Sequence, residues 1–568
     1  MPLADLIAVA RGNKPADLIL KNARIVNVFN GEIEQGSAAI FKGLVAGVGH
    51  YTRAEATIDL EGRYLSPGLI NGHTHIESSM LDIAEYARAV IPHGTLGVVN
   101  DLHEIANVSG LTGLSYVMEA SRRLPFDFYL MAPSCVPATH LETSGASIDA
   151  MTLRRIKRWR NVIGLGEMMN YPGVLFGDKS VLEKLDIYCG CAIDGHAPGL
   201  KGNDLSAYIA AGASSDHESI GLAEAKEKLA RGMYVMIREG SSEKNLEALL
   251  PLVTDETFKR CLFVVDDRSC ADLLRDGDVD AVVRKAIRLG LKPVRAIQLA
   301  SINAAGRFGL GRTGAVAPGY PANLVTLDDL EGFKIDMVFH RGMLVARRGE
   351  ALFEPPPYKG HRPTDTINVK PLKVESLRLK AKEDLFPVIG VVPGQITTRK
   401  TFEKLSRDGQ GLVMPDIKRD ILKLIVVERH RATGNIGLGL VKGFGLKRGA
   451  LASSIAHDSH NIVAVGAGDG DILLAVIQVV KMHGGLAVVA DGKIIAGLAL
   501  PIAGLLADQP LSEVVKQFEK VEAAARSLGS TLPAPFAALS FIALPVIPEL
   551  RLTDLGLVDV NAFKIIEP

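Results

Sequence analysis

At 568 residues the chain exceeds what one core organises, since domains hold about 50–250 residues, so two or three domains are expected. Apolar residues at 47% and charged residues at 23% sit near the globular average. Lysine plus arginine and aspartate plus glutamate balance at 64 each, which leaves no overall positive field to draw phosphate backbones or anionic membranes and excludes nucleic acid as an expected partner.

The opening stretch, MPLADLIAVARGNKPADL, carries Asp5 within a short apolar run and fits no signal peptide, so a cytoplasmic protein is expected. From Ala16 to about Gly62 the pattern alternates and is rich in β-formers, with Asn30-Gly31 as a hairpin-type turn. A similar texture returns at 314–350. Together these predict one small β domain composed of 1–65 and 310–352. Between them, over 66–309, short apolar strands alternate with helical stretches: YLSPGLING, GTLGVVND, FDFYLMAPSC, VIGLGEM, CAIDGHA, GASSDH, GMYVMIREG and CLFVVDD. Eight such units predict an α/β fold of the (β/α)8 barrel type, with its site at the C-terminal ends of the strands. The alternative, an open doubly wound sheet, lacks its glycine-rich nucleotide turn here.

Pro355, Pro356 and Pro357 mark a stiff connector over 353–374. The remainder, 375–568, mixes strands such as ILKLIVVE with helices such as DILLAVIQVVKMHG, and predicts a separate α/β domain with no clear chemistry of its own. Its GNIGLGLVKGFGL lacks the Lys-Ser/Thr of a phosphate loop and reads as packing or tight turns. No stretch reaches the roughly 18 apolar residues of a membrane span; GLALPIAGLLA is short and holds Pro501. Cys135, Cys189, Cys191, Cys261 and Cys270 are odd in number and thinly spread, unlike a disulfide framework. Reduced thiols are expected, with Cys189 and Cys191 read as small buried thiols in preference to a metal pair.

The chemistry lies at the strand ends. His73 and His75 in GHTH are two apart, so a strand puts both imidazoles on one face, where they can share an ion. Glu167 ends the fourth strand, His196 the fifth, His217 the sixth and Asp266 the eighth. Any one of these histidines alone reads as structural or as surface. Four imidazoles and two carboxylates together exceed one tetrahedral ion and suit two ions that share a bridging carboxylate, for which Glu167 is the natural choice.

PGLINGHTHIESSM, HEIANV, PSCVPA, GLGEMMNYPGV, DGHAPGL, AYIAAGASSDHES, MIREGS, the DDR at 266–268, HDSHNI and LPVIPELRLTDLGL resemble the amidohydrolase superfamily, and within it the adenine deaminases, over nearly the whole length. The resemblance implies hydrolysis of adenine to hypoxanthine and ammonia at a pair of divalent metal ions, most often manganese or iron, with zinc equally compatible with the ligands. It assigns His73, His75 and Asp266 to one ion and His196 and His217 to the other, with Glu167 bridging in place of the carboxylated lysine of other members. A hydroxide held between the ions would attack C6, and Asp266 would pass the proton to the leaving nitrogen.

A donor is needed near ring N1. His103 and Glu104 are the candidates, with a loop-fixing pair as the equal alternative; Asp101 would orient His103. Asp267, Arg238 and Glu239 are further candidates for contact with the purine or the ligands. In HDSHNI, His457, Asp458 and His460 either reach a metal or the barrel mouth, or form a turn in which Asp458, Ser459 and Asn461 satisfy backbone groups. Asn71, Val265 and Ser269 depart from the family pattern, which leaves deamination of a related aminated heterocycle as an alternative. Two rivals remain: a cyclic amidohydrolase of the dihydroorotase or hydantoinase kind, which usually bridges its metals with lysine, and a scaffold without catalysis, which should have lost ligands. The small-molecule substrate is the only partner expected, apart from further copies of the chain in a homo-oligomer.

Overall fold

The structure, a computed structural model, describes residues 3–380, 383–393 and 395–566. Its centre is a ring of eight parallel strands taken in chain order: Leu69–His75, Thr95–Asp101, Asp127–Ala132, Val162–Met168, Ala192–Gly195, Ser215–Asp216, Tyr234–Arg238 and Cys261–Val264. The ladder runs without a break from the first strand to the fifth and from the sixth to the eighth. Between the fifth and the sixth it is carried by Ser214 N donating to Ile193 O at 3.0 Å. Past Val264 the eighth strand resumes as Asp266–Asp267 and pairs with Thr74 and His75 of the first, which closes the ring. An open sheet is thereby excluded, and the barrel expected from the alternation of strands and helices is borne out.

Parallel strands covered on both faces bury most of their residues, which is why these segments read as continuous apolar runs. Ile70, Val99, Met131, Met236, Leu262 and Val264 pack together with Ala304, Ala305 and Phe308. The first strand carries Ile70 in this cluster and His73 at the site although they are three residues apart. A register shift between Asn71 and Thr74 makes this compatible, since one extra residue restores the inward face.

A nine-stranded sheet draws five strands from before the barrel and four from after it, joined where Tyr64–Pro67 pairs antiparallel with Leu324–Leu327. Residues 352–373 form neither helix nor strand. Beyond them an eight-stranded, mainly antiparallel sheet packs against the helices Asp469–Lys481 and Leu511–Ser527. The glycine-rich GNIGLGLVK is its strand Ile436–Lys442, where a Cβ on Gly437 would stand 1.8 Å from the Thr553 carbonyl oxygen. Close backbone approach, not a ligand, accounts for that glycine. This C-terminal unit docks on the barrel through the Asp554 carboxylate, which accepts from Thr143 N at 2.9 Å and Thr143 Oγ1 at 2.6 Å, and through Thr553 Oγ1 donating to Leu141 O at 2.7 Å.

The thiols correct one expectation. Cys135, Cys261 and Cys270 are buried, but Cys189 and Cys191 are exposed, because they lie on the turn that follows the helix Lys179–Ile187 and precedes the fifth strand. Among the described residues no helix is long and apolar enough to cross a membrane.

One buried ion pair fixes the barrel rim. Lys228 Nζ, fully enclosed, donates to Asp216 Oδ2 at 2.8 Å, to Glu224 Oε1 at 2.7 Å and to Ala197 O at 2.8 Å, while Asp216 accepts from Ala197 N at 3.1 Å. Removing one partner of such a pair costs about 3–5 kcal/mol, because the remaining charge stays buried. Lys228→Met is therefore expected to lower the melting temperature by several degrees in scanning calorimetry; an unchanged melting temperature would show that the pair does not hold the rim.

Candidate metal centre

The barrel mouth gathers all six residues placed at strand ends. Asp266 has a left-handed backbone (φ 61°), which breaks the eighth strand after Val264 and turns the carboxylate inward; strained backbone of this kind is found where a side chain must be aimed. Its Oδ1 lies 3.5 Å from His73 Nε2 and 3.2 Å from His75 Nε2. Its Oδ2 accepts from Arg238 Nη1 at 2.5 Å. His75 Nδ1 stands 2.8 Å from the Asp101 carbonyl oxygen, so the proton sits on Nδ1 and the Nε2 lone pair faces the site.

Glu167 occupies the middle. Oε1 is 3.3 Å from His75 Nε2; Oε2 is 2.7 Å from His196 Nδ1 and 3.1 Å from His217 Nε2. The position is set from beneath, where Glu167 N donates to Asp101 Oδ2 at 2.9 Å. Gly166 permits that bond: a Cβ there would fall 2.0 Å from the same oxygen. His73 and His217 stack with centroids 4.4 Å apart, which brings the two histidine pairs together across the carboxylate.

Burial alone would raise both carboxylates. Glu167 is nevertheless held well below the usual range by His196, His217 and His75, and Asp266 by Arg238, His73 and His75. Both therefore present anionic oxygens among the imidazole nitrogens. The donor set fits divalent ions: the groups His73–His75–Asp266, His73–Glu167–His217 and His196–His217–Glu218 each bring their donor atoms within 4.8 Å of one another. Both ring nitrogens of His73 and Nδ1 of His217 are buried without a hydrogen-bond partner among the described residues, a costly state for polar atoms unless something else engages them.

The flanking candidates divide. His103 and Glu104 line the cavity, with His103 Nδ1 3.6 Å from Glu167 Oε1 and His103 Nε2 3.4 Å from Glu104 Oε1. Asp267 and Arg238 also line it; Ser78 donates to Asp267, and Arg238 Nη1 is shared between Asp266 and Glu218, the latter at 2.6 Å. Asp101 is not among the residues that line the cavity; its Oδ1 lies 3.6 Å from His103 Nδ1, and its Oδ2 accepts from Glu167 N at 2.9 Å. Glu239 is corrected: its carboxylate accepts from Leu246 N at 3.2 Å and from Lys285 Nζ at 2.9 Å, on the outside of the barrel wall, because pairing continues one residue past Arg238 through Glu239 N donating to Val264 O at 3.2 Å, and alternation turns this side chain away from the side of Arg238. None of the three departures reaches the cavity. Asn71 donates to Asp278 and accepts from Val265 N, Val265 is buried, and Ser269 caps the helix Cys270–Asp276.

HDSHNI reaches the barrel. His457 Nδ1 lies 2.5 Å from Glu104 Oε1, and His460 Nε2 contacts Glu104 Oε2. Ala456 N donates to His460 Nδ1 at 3.1 Å, so His460 carries its proton on Nε2 and donates to Glu104. Asn461 meanwhile accepts from Arg429 N, so the same string also serves as a backbone-satisfying turn. The C-terminal unit further lines the cavity with Ile396, Asp458, Phe541, Leu544 and Ile547, contrary to the expectation that it contributes no chemistry.

Two lining residues, Glu218 and Glu243, escape the sequence reading. Glu218 follows His217, and alternation would point it outward, but the sixth strand ends at Asp216 and alternation ends with it. Glu243 lies on the loop after the seventh strand, where periodicity says nothing. Although burial pushes it up, Glu218 is drawn down to about 2 by Arg238 and the histidines; Glu243 is pushed up to about 7 by burial and by Asp267.

Comparison with known proteins agrees with this site. Residues 64–345 match the amidohydrolase family, and residues 395–564 match the adenine deaminase C-terminal domain. Adenine deaminase of Dehalococcoides mccartyi is 61% identical over 564 residues, 99% of either chain. Adenine deaminase 2 of Carboxydothermus hydrogenoformans is 49% identical over 566 residues, covering 100% of this chain and 99% of that one. A third relative, adenine deaminase of Methanothrix thermoacetophila, is 48% identical over 569 residues. With both halves matched and relatives of this identity aligned end to end, the chain belongs to the adenine deaminase family of the amidohydrolases.

Proposed function

We propose that this protein hydrolyses adenine to hypoxanthine and ammonia. The observation that carries the reading is Glu167 standing between two histidine pairs, in a chain whose full-length relatives are adenine deaminases. His73, His75 and Asp266 would hold one divalent ion, His196 and His217 a second, and Glu167 both. The family resemblance favours manganese, and iron or zinc are compatible with the same donors. Such ions, when bound, bring the ionisation of water close to neutral pH.

The remaining work falls to the protein. Asp266, kept anionic by Arg238, takes a proton from water as the water oxygen bonds to C6, and delivers it to the exocyclic nitrogen as the C6–N bond breaks, so that the nitrogen leaves as ammonia instead of a strongly basic anion. On the other side of the first strand, burial opposes the charge of His103, but Glu104 and Asp101 hold its pKa well above the ordinary value. Glu104 is itself held well below the carboxylate range by His457, His460 and His103 against burial. His103 is therefore the proton donor toward ring N1, and Glu104 is the anion that keeps it charged. Hydrolysis of a cyclic amide is the rival reading; Glu167 at the position where those enzymes usually carry lysine speaks against it.

Enzyme purified with manganese is expected to bleach adenine absorbance with one ammonia released per base. Turnover of dihydroorotate or a hydantoin without turnover of adenine would overturn the assignment. Asp266→Asn should keep measurable metal while kcat falls about 10²–10⁴-fold, the usual worth of a positioned proton carrier; full activity would discard the shuttle. Glu167→Gln should drop the metal content below two per chain by elemental analysis, and an unchanged content would reject the bridge.

A further inference from the structure

Glu243 is 8% exposed, and neither carboxylate oxygen has a hydrogen-bond partner among the described residues. It nevertheless lines the same cavity as His75, Glu167, Asp266 and Asp267. A buried carboxylate left without donors is costly, and burial beside a ligand cavity is where such a group finds its donor in the ligand. The loop that carries it is held in place by Gly240 N donating to Glu243 O at 2.9 Å, by the bridge between Glu239 and Lys244, and by Ser241 N donating to Asp267 O at 2.8 Å. These backbone bonds hold the loop, and with it the backbone of Glu243, against the eighth strand beside the site.

Its position specifies what it would read. His103 and Glu104 follow the second strand, on one side of the first; Glu243 follows the seventh and neighbours Asp266 and Asp267 of the eighth, on the other side. A purine with C6 over the ligand cluster and N1 toward His103 turns its imidazole half toward Glu243. Free adenine carries a single ring N–H, on N9 or N7, and both atoms belong to that half. A nucleoside has no such hydrogen. We propose that Glu243 accepts the ring N–H of the free base and so makes the site select adenine over N9-substituted purines. The proposal rests on the deaminase reading and deepens it: Glu243 is a specificity residue, distinct from the proton carriers.

The test compares kcat/KM for adenine and 9-methyladenine in the manganese-loaded wild type, Glu243→Gln and Glu243→Ala, with metal content and melting temperature measured on each. Wild type is expected to prefer adenine by about 10³-fold or more, as a buried group built for a substrate N–H rejects the analogue lacking it. Glu243→Ala should lose about 10²-fold or more on adenine and leave 9-methyladenine within about threefold, so that the preference collapses. Glu243→Gln, which keeps the volume, should lose about tenfold on adenine alone, because an amide oxygen accepts a hydrogen bond less strongly than a carboxylate. Equal losses on both substrates, comparable turnover of both by wild type, or an unchanged adenine value in the glutamine variant (the mark of a purely steric block) would each overturn the assignment of Glu243 and leave the deaminase standing. Absence of adenine turnover by wild type would overturn the deaminase and this proposal with it.

Discussion

The concentration of buried donors around Glu167 governs the rest of the molecule. Four imidazoles and two carboxylates share a space from which water is largely excluded, a state that proteins tolerate only when the charges are paired, hydrogen-bonded or coordinated. Within the chain, pairing goes only part of the way: Arg238 satisfies one side of Asp266, and Asp101 supports Glu167 from below, while the ring nitrogens of His73 have no hydrogen-bond partner among the described residues. Coordination of divalent ions, which the family implies, would supply the missing term. It also explains the local sacrifices, since a left-handed aspartate in a strand and a glycine pressed against a carboxylate weaken the barrel in order to aim its side chains.

The C-terminal unit belongs to the same design. A barrel mouth open to solvent would leave the Glu104 carboxylate hydrated and its hold on His103 weak, because charge interactions fade in water. Packing His457 and His460 onto that carboxylate, and setting Phe541, Leu544 and Ile547 over the cavity, dries the wall opposite the ligands. The docking bonds around Asp554, Thr553 and Leu141 lie beside this wall, so the contacts that hold the two halves together also shape the pocket.

What the sequence discloses follows from periodicity. His73, His75, Glu167, His196, His217 and Asp266 are legible because a strand has a fixed alternation and a barrel has one functional end, so strand ends can be read as a ring. Glu239 was misplaced because that rule was set aside, and Glu218 was hidden because the rule had already ceased to apply. Glu243 and the apolar wall from the C-terminal unit lie beyond the reach of pattern, as loop conformation and domain docking depend on contacts between distant segments. Cys189 and Cys191 show the same limit: a thiol's apolar character argues for burial, and a turn overrides it.

The central claim, that these six side chains converge on a shared pair of divalent ions, is tested most directly by anomalous diffraction at the manganese edge from crystals grown with that metal. The account predicts two peaks, one against His73, His75 and Asp266 and the other against His196 and His217, with Glu167 reaching both. A single peak, or density remote from Glu167, would contradict it.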